Sequence, residues 1–220
     1  MNLKTILFFY KMRHFYIEND IELGIDEAGR GCLLGPLCVG AVIMGDMESN
    51  PPPHEIKDSK KCSPKIRKIL REHIENNAIA YNVQFIWEKE IDEVNVLQAT
   101  MNGMHRCVDE ITKEIAIDRI LVDGTQFNTY LDSDFETIEH ICVPQGDNIY
   151  TNIAAASILA KEYHDDYIVN LVKANPELEE YGIHKNKGYG TKDHMDKLKD
   201  NKFKGILPTE WHRKSFKPCY

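Results

Sequence analysis

The sequence has no pair of cysteines at metal-ligating or redox spacing. Cys32, Cys38, Cys62, Cys107, Cys142 and Cys219 stand apart, with no C-x-x-C step and no accompanying histidine pattern. That excludes a thiolate zinc module. Cys38 and Cys142 sit inside apolar runs, which points to buried, reduced thiols in a reducing compartment. No apolar run approaches the ~20 residues that a membrane-spanning helix needs. The cluster Ile6-Leu7-Phe8-Phe9-Tyr10 after Lys4 is shorter than the ~7–15 residue core of a secretory signal and leads to no small-residue cleavage site. A cytoplasmic protein is therefore expected, with no membrane partner. Residues 1–20 read as an N-terminal extension to a single domain over 21–220. Internal repeats and low-complexity tracts are missing as well.

Positive charge is also short: 27 Lys and Arg against 35 Asp and Glu give a net charge of −8. As an average this disfavours a nucleic-acid binder, yet phosphate contacts are local and distribution decides. Lys57, Lys60, Lys61, Lys65, Arg67, Lys68 and Arg71 form one basic cluster. Lys185, Lys187, Lys192, Lys197, Lys199, Lys202 and Lys204 form another, within a polar, basic helical region over about 175–220. Arg213, Lys214 and Lys217 close the chain. Solvated helix faces account for most of these, so charge alone does not assign a function.

Periodicity gives the elements. Residues 21–26 and 37–44 read as strands joined by the Gly-rich stretch Gly29 to Pro36, a β-hairpin. Ser63 caps a helix that starts at Pro64 and runs to about Glu75. Residues 79–86 alternate as a half-buried strand with Ile79, Tyr81, Val83 and Phe85 on its apolar face. From Glu90 to Ile115 apolar residues recur at helical spacing and predict one long amphipathic helix. Ile120–Val122 and His140–Val143 read as short strands. Helices are expected over Asn152–Val172 and Lys192–Lys199. The sum is an α/β protein, a mixed sheet flanked by helices with a basic helical C-terminal region.

Three acidic positions depart from surface solvation. Asp26-Glu27 ends one strand, Asp123-Gly124 ends a purely apolar one, and Gly146-Asp147 follows a third. Ligands of open α/β sheets lie beyond the carboxyl ends of the strands, so these acids can converge there. Each alone also reads as a turn or cap residue. Gathered carboxylates repel unless they share a proton or a cation. Oxygen-only ligands without His or Cys favour Mg²⁺ or Mn²⁺. Two such ions roughly 3.5–4 Å apart suit phosphodiester hydrolysis. Adjacent strand residues point to opposite faces, so Asp26 and Glu27 are expected to share a site through a bend at the following glycines.

At this point the residues resemble a family, type 2 ribonuclease H (ribonuclease HII). The similarity is an ordered series of blocks. Gly24-Ile-Asp-Glu-Ala-Gly-Arg-Gly31 comes first, with Gly35-Pro36, then Asp58-Ser-Lys-Lys61 with Ser63-Pro64. Ile91-Asp-Glu-Val-Asn95 follows, with Leu97-Gln-Ala99, then Val122-Asp-Gly124, Gly146-Asp147 and Ile153-Ala-Ala-Ala-Ser-Ile-Leu-Ala-Lys161. Asn186-Lys-Gly-Tyr-Gly-Thr191 and His212-Arg-Lys-Ser-Phe216 complete it. It covers about residues 22 to 218. It implies an RNase H-like fold and an endoribonuclease that hydrolyses the RNA strand of RNA–DNA hybrids. It also implies cutting 5′ of ribonucleotides embedded in duplex DNA, leaving 5′-phosphate and 3′-hydroxyl ends. Asp26, Glu27, Asp123 and Asp147 would be the catalytic, metal-binding carboxylates, holding two Mg²⁺ or Mn²⁺ ions in the substrate complex. Gly29, Arg30 and Gly31 would read the ribose 2′-hydroxyl through their backbone, since glycine lets the chain approach the sugar. Tyr189 would pack on the sugar beyond the RNA–DNA junction. Asp58, Ser59 and Lys60 would lie near the phosphates, with Lys60 or Lys61 supplying charge. Ser157 and Lys161, one helical turn apart, would face substrate, or serve packing and solvation. Asn95 and Gln98 would meet nucleic acid, or cap a helix and face solvent. A single-subunit enzyme is implied.

Departures from the family pattern also appear. Cys32 stands where proline is usual, Cys62 where leucine is, Gln145 where lysine is, and His164-Asp165-Asp166 where Arg-Asp-Arg is common. Gln145, His164 and Asp166 reduce positive charge near the proposed site. Asp165 competes with Asp147 as fourth acid. The rival readings are a non-catalytic hybrid-binding protein, ribonuclease HIII or another RNase H-superfamily nuclease, and a small-molecule phosphohydrolase. Ribonuclease HIII usually carries an extra N-terminal domain, which twenty leading residues cannot form.

Overall fold

The computed structural model describes residues 12–132, 134–200 and 211–216. The apolar cluster at residues 6–10, Lys202, Lys204, Lys217 and Cys219 lie outside them. One sheet carries the fold: β1 (Glu22–Ala28), β2 (Leu37–Met44), β3 (Ala78–Ile86), β4 (Arg119–Asp123) and β5 (Glu139–Val143), in the order β3-β2-β1-β4-β5. The first three strands form an antiparallel meander, and β1, β4 and β5 run parallel. Helices are α1 (Pro64–Asn77), α2 (Glu88–Val94), α3 (Val96–Thr112), α4 (Thr151–Ala174), α5 (Ile183–Asn186) and α6 (Lys192–Lys199). Among the described residues no helix is long and apolar enough to cross a membrane.

The near-continuous apolar run of β2 follows from burial on both faces. On one face Leu23, Ile25, Val39 and Ala41 pack with Met101, Met104, Cys107 and Val108 of α3. On the other, Val42 meets Leu70 and Ile74 of α1 and the alanines of α4. Small residues let α4 lie almost on the strands. A methyl group added at Gly24 would stand 2.2 Å from the Asn152 carbonyl carbon, and one at Gly40 2.5 Å from the Ala156 carbonyl oxygen. Helix α4 therefore tracks along β1 and on past its end, from Asn152 beside Gly24 to His164 beside Gly29 and Ile168 beside Gly35.

Two expectations are corrected. The long helix over Glu90–Ile115 is two helices that meet at Asn95, whose φ of 70° is left-handed. Asparagine tolerates that conformation, and its side chain accepts hydrogen bonds from the Leu97 and Gln98 amides at 3.0 and 3.1 Å, starting a new helix where the old one stops. The alternation in β3 is real, but its apolar face is only half covered. Val83 packs against the α1–α4 layer, while Ile79 is 59% and Tyr81 39% exposed. This edge strand outruns the helix layer at its first half.

Candidate active site

Strands β1 and β4 pair from Glu22↔Arg119 to Ile25↔Val122 and no further. Asp26 and Asp123 are the next residue on each strand, so the ladder opens at the two acids. β1 itself stays regular, pairing with β2 through Ala28↔Cys38. The bend expected beside Asp26 and Glu27 is therefore absent from β1. Both side chains nonetheless lie in the field of Asp123, where the β1–β4 ladder ends. Asp26 is buried and accepts from the Glu27 amide at 2.7 Å, and the Ser157 hydroxyl of α4 helps to hold its carboxyl down against burial. Glu27 pairs with the Arg30 guanidinium at 3.4 Å.

The fourth acid arrives by a turn. After β5, Gln145 adopts a left-handed conformation and Gly146–Asn148 form a single 3-10 turn. The Gly146 amide donates to the Asp123 carboxylate at 2.7 Å, which ties this turn to the end of β4. Asp147 is buried, held by the Asn148 side chain at 2.8 Å. Asn148 is in turn bonded by Lys61.

The electrostatics make these acids one group. Burial, then Glu27 and Asp123, push the Asp26 carboxyl well above its usual range. Burial raises Glu27; Arg30 opposes this and Asp123 adds to it. Asp147 is pushed up to about 6, by burial first and then by Asp58 and Asp123. Such a site holds more negative charge than its own cations, Arg30 and Lys60, balance. All its charged ligands are oxygens, which suits a hard divalent ion. Among the described residues no three His, Cys, Asp or Glu side chains close on one point as a finished ligand set.

A pH dependence follows. A carboxyl raised in the folded state binds more protons folded than unfolded. The metal-free protein is then relatively most stable below the ordinary carboxylate value, and this stability is lost as pH climbs through about 6 at Asp147. Calorimetry with chelator and with Mg²⁺ is expected to show a gap in Tm that widens from about pH 5 to about pH 7.5. An identical gap at both pH values would count against a metal among these acids.

Asp165 lies in a different environment. It accepts from Lys161 at 2.8 Å and His164 at 3.1 Å, with Arg67 at 3.7 Å. Despite burial, His164 and Lys161 hold its carboxyl below the usual range. Arg67 and Arg71 leave the basic cluster predicted from sequence, because they pair with Glu162 and Asp166 of α4 at 2.6 and 2.8 Å.

The remaining candidates surround the acids unequally. Asp58 is buried and caps the 3-10 turn Ser59–Lys61 by accepting from the Lys60 amide, while the Ser59 hydroxyl meets that of Ser157 at 3.0 Å. Lys60 and Lys61 are exposed. Gly29 has φ of +80°, and its amide donates to the Tyr189 hydroxyl at 3.1 Å. Among the described residues no hydrogen bond occupies the Arg30 or Gly31 amide, and a methyl at Gly31 would meet nothing within 4 Å. The Lys161 ammonium stands 5.1 Å from the centre of the Tyr189 ring. Asn95 and Gln98 are exposed; Asn95 caps α3 and Gln98 donates to Asn102 at 2.9 Å.

One supporting residue escaped sequence reasoning. Arg213 is fully buried and donates to the Gly35 carbonyl at 2.9 Å and the Arg30 carbonyl at 3.0 Å, clamping both ends of the loop after β1. The block His212 to Phe216 marked it, but a terminal basic residue reads as solvated until its partners are seen.

The family model for ribonuclease HII matches residues 23–219. Curated relatives named ribonuclease HII include one from Christiangramia forsetii, 42% identical, covering 94% of this chain and 95% of the relative. Another, from Cytophaga hutchinsonii, is 40% identical over 92% of each. Among solved structures, ribonuclease H2 from Pyrococcus horikoshii OT3 superposes with a TM-score of 0.68 at 25% identity, covering 90% of this chain and 94% of that one.

Proposed function

The chain belongs to the ribonuclease HII family, and from that premise we propose how its own residues divide the work. It is a divalent-metal-dependent endoribonuclease that hydrolyses the RNA of RNA–DNA hybrids and cuts at ribonucleotides embedded in DNA. The observation that carries the assignment is the opening of the β1–β4 ladder at Asp26 and Asp123, with Glu27 and Asp147 in the same electrostatic field. These four carboxylates would hold two Mg²⁺ or Mn²⁺ ions in the substrate complex. Bound there, such ions lower the pKa of a water and offset charge on the phosphate and the departing 3′ oxygen. The products are 5′-phosphate and 3′-hydroxyl ends. The ion pairs of Asp165 support Asp147 as the fourth acid.

The loop after β1 selects the sugar. Tyr189 occupies the Gly29 amide, which leaves the Arg30 and Gly31 amides to meet the 2′-hydroxyl. The open space above Gly31 gives a ribose room to approach. The Tyr189 ring, held beneath that loop, packs on the next sugar. Lys60 and Lys61 attract the phosphates, while Asp58 and Ser59 fix the turn that presents them. Ser157 steadies Asp26, and Lys161 lies over Tyr189. Asn95 serves the helix start, and Gln98 stays on the exposed face beside it. All these groups come from one chain, so a monomer suffices. The five described cysteines are free, which suits a reducing compartment.

The assay that tests this uses purified protein with Mg²⁺ or Mn²⁺ on three duplexes: a long RNA–DNA hybrid, DNA with one ribonucleotide, and plain DNA. Cleavage is expected on the first two, 5′ of the ribonucleotide in the second, and none on the third. Chelation should stop it. Cleavage of plain DNA, or cleavage that persists in chelator, would overturn the assignment.

A further inference from the structure

Two of the departures from the family pattern touch each other. Cys32, in the loop after β1, and His164, on α4, are 132 positions apart in sequence, yet the Cys32 sulfur lies 3.5 Å from His164 Nε2. His164 is fully buried. Its other nitrogen, Nδ1, lies 3.1 Å from the Asp165 carboxylate, which is itself fixed by Lys161 and Arg67. A carboxylate only accepts, so Nδ1 carries the proton. In the neutral ring Nε2 is then the acceptor, and the Cys32 thiol donates to it. Burial lowers the imidazole and raises the thiol to about 12, which keeps both neutral. The same sulfur lies 3.5 Å from the Lys187 carbonyl, so Cys32 also touches the segment that carries Tyr189.

The imidazole also forms the floor of the site's glycine turn. A methyl at Gly29 would lie 2.6 Å from both His164 Cδ2 and Nε2, so the turn rests directly on the ring. The Tyr189 ring centre is 5.9 Å from that of His164. One buried ring thus touches the Gly29 turn, the Cys32 thiol and the tyrosine, while Asp165 sets its orientation from behind.

We propose that His164, locked between Asp165 and Cys32, is a positioning residue for ribose selection, setting the height of the Gly29–Gly31 turn and its register with Tyr189. This rests on the reading above that the turn meets the 2′-hydroxyl. His164 touches neither substrate nor metal. It acts through Gly29 and Tyr189, and Cys32 acts through His164.

The test measures kcat and KM on DNA duplexes carrying one ribonucleotide, or one 2′-fluoro nucleotide, at the cut site. His164→Asn keeps a donor near Nδ1 and removes Nε2. Cys32→Ala removes the thiol with little change of shape. Each is expected to lower kcat/KM on the ribonucleotide by roughly 10- to 100-fold, the effect of a misplacement of about 1 Å. The 2′-fluoro rate is expected to change little, so the ratio between the two substrates collapses. The double variant should lose little more than either single one, because both break the same link. His164→Gln, whose amide reaches toward the Nε2 position, should recover part of the ratio. Tm is measured alongside. Should His164→Asn fail to fold, Cys32→Ala carries the same readout. An unchanged ratio in folded variants overturns the proposal, as does an equal loss on both substrates that tracks Tm. Tyr189→Phe and Gly31→Ala separate the two levels. A ratio that survives those changes ends the ribose-reading assignment itself, whereas a ratio lost there but kept in the His164 and Cys32 variants ends only this inference.

Discussion

Asp26→Asn is expected to lower cleavage on the order of 10³-fold or more while raising the Tm of the metal-free protein. The two effects share a cause. Asp26 is buried beside Glu27 and Asp123, and its charged form is disfavoured by burial and by both neighbours. Asparagine is close in shape, and its carbonyl still accepts from the Glu27 amide, a 2.7 Å bond in the native chain. The fold keeps its contact and sheds a charge that burial, Glu27 and Asp123 all disfavour in the metal-free site. Metal binding needs that charge. The rise in Tm that Mg²⁺ gives the parent should therefore shrink or vanish in the variant. Measuring activity, metal-free Tm and the metal-induced shift together separates this from simple misfolding. Normal cleavage by the variant would remove Asp26 from the metal set. A lower metal-free Tm with the metal shift intact would mean the carboxylate is structural.

Much of this site was legible because its chemistry lies at element ends that the sequence marks strongly. Asp123-Gly124 closes an apolar run, and Ser63-Pro64 opens a helix whose cap the structure reproduces, with the Ser63 side chain accepting from Ile66. Strand β2 runs over Leu37–Met44 as its apolar run predicts. What periodicity missed depends on contacts between distant segments. Asn95 sits at a position that continues the helical pattern, and only its left-handed φ reveals the break. The exposure of Ile79 and Tyr81 depends on where α1 and α4 stop covering the sheet, which no local pattern encodes. Arg67 and Arg71 looked like part of a phosphate-binding cluster until Glu162 and Asp166 appeared opposite them. Cys32 and His164 read as two separate losses of the family pattern, and their meaning changes once they are neighbours. In each case the residue type was visible while its partner, many residues away, was not.

Gly24→Ala should be the most damaging small substitution in the sheet, even though it adds one methyl group and lies two residues from the nearest acid. The added carbon would fall 2.2 Å from the Asn152 carbonyl carbon and 2.4 Å from the Ile153 nitrogen. Both are backbone atoms at the start of α4, so no side-chain rotation relieves the overlap. Asn152 cannot drift freely either. Its side chain accepts from the Met44 amide at 3.1 Å and donates to the Glu22 carbonyl at 2.6 Å, tying the helix to β2 and β1. Overpacking costs 1–3 kcal/mol when side chains can shift, so about 3 kcal/mol or more is expected where they cannot. For a domain of this size that corresponds to a fall in Tm of roughly 6–12 °C. If α4 instead moves outward, it takes Ser157 away from Asp26 and pulls on the turn that holds Asp147, just ahead of its first residue. Activity and Mg²⁺-induced stabilisation should then fall together with Tm, the opposite of the Asp26→Asn pattern, in which Tm rises as activity is lost. A Gly24→Ala protein that melts and cleaves like the parent would mean that α4 does not press on β1, and the arrangement of the acids would need another explanation.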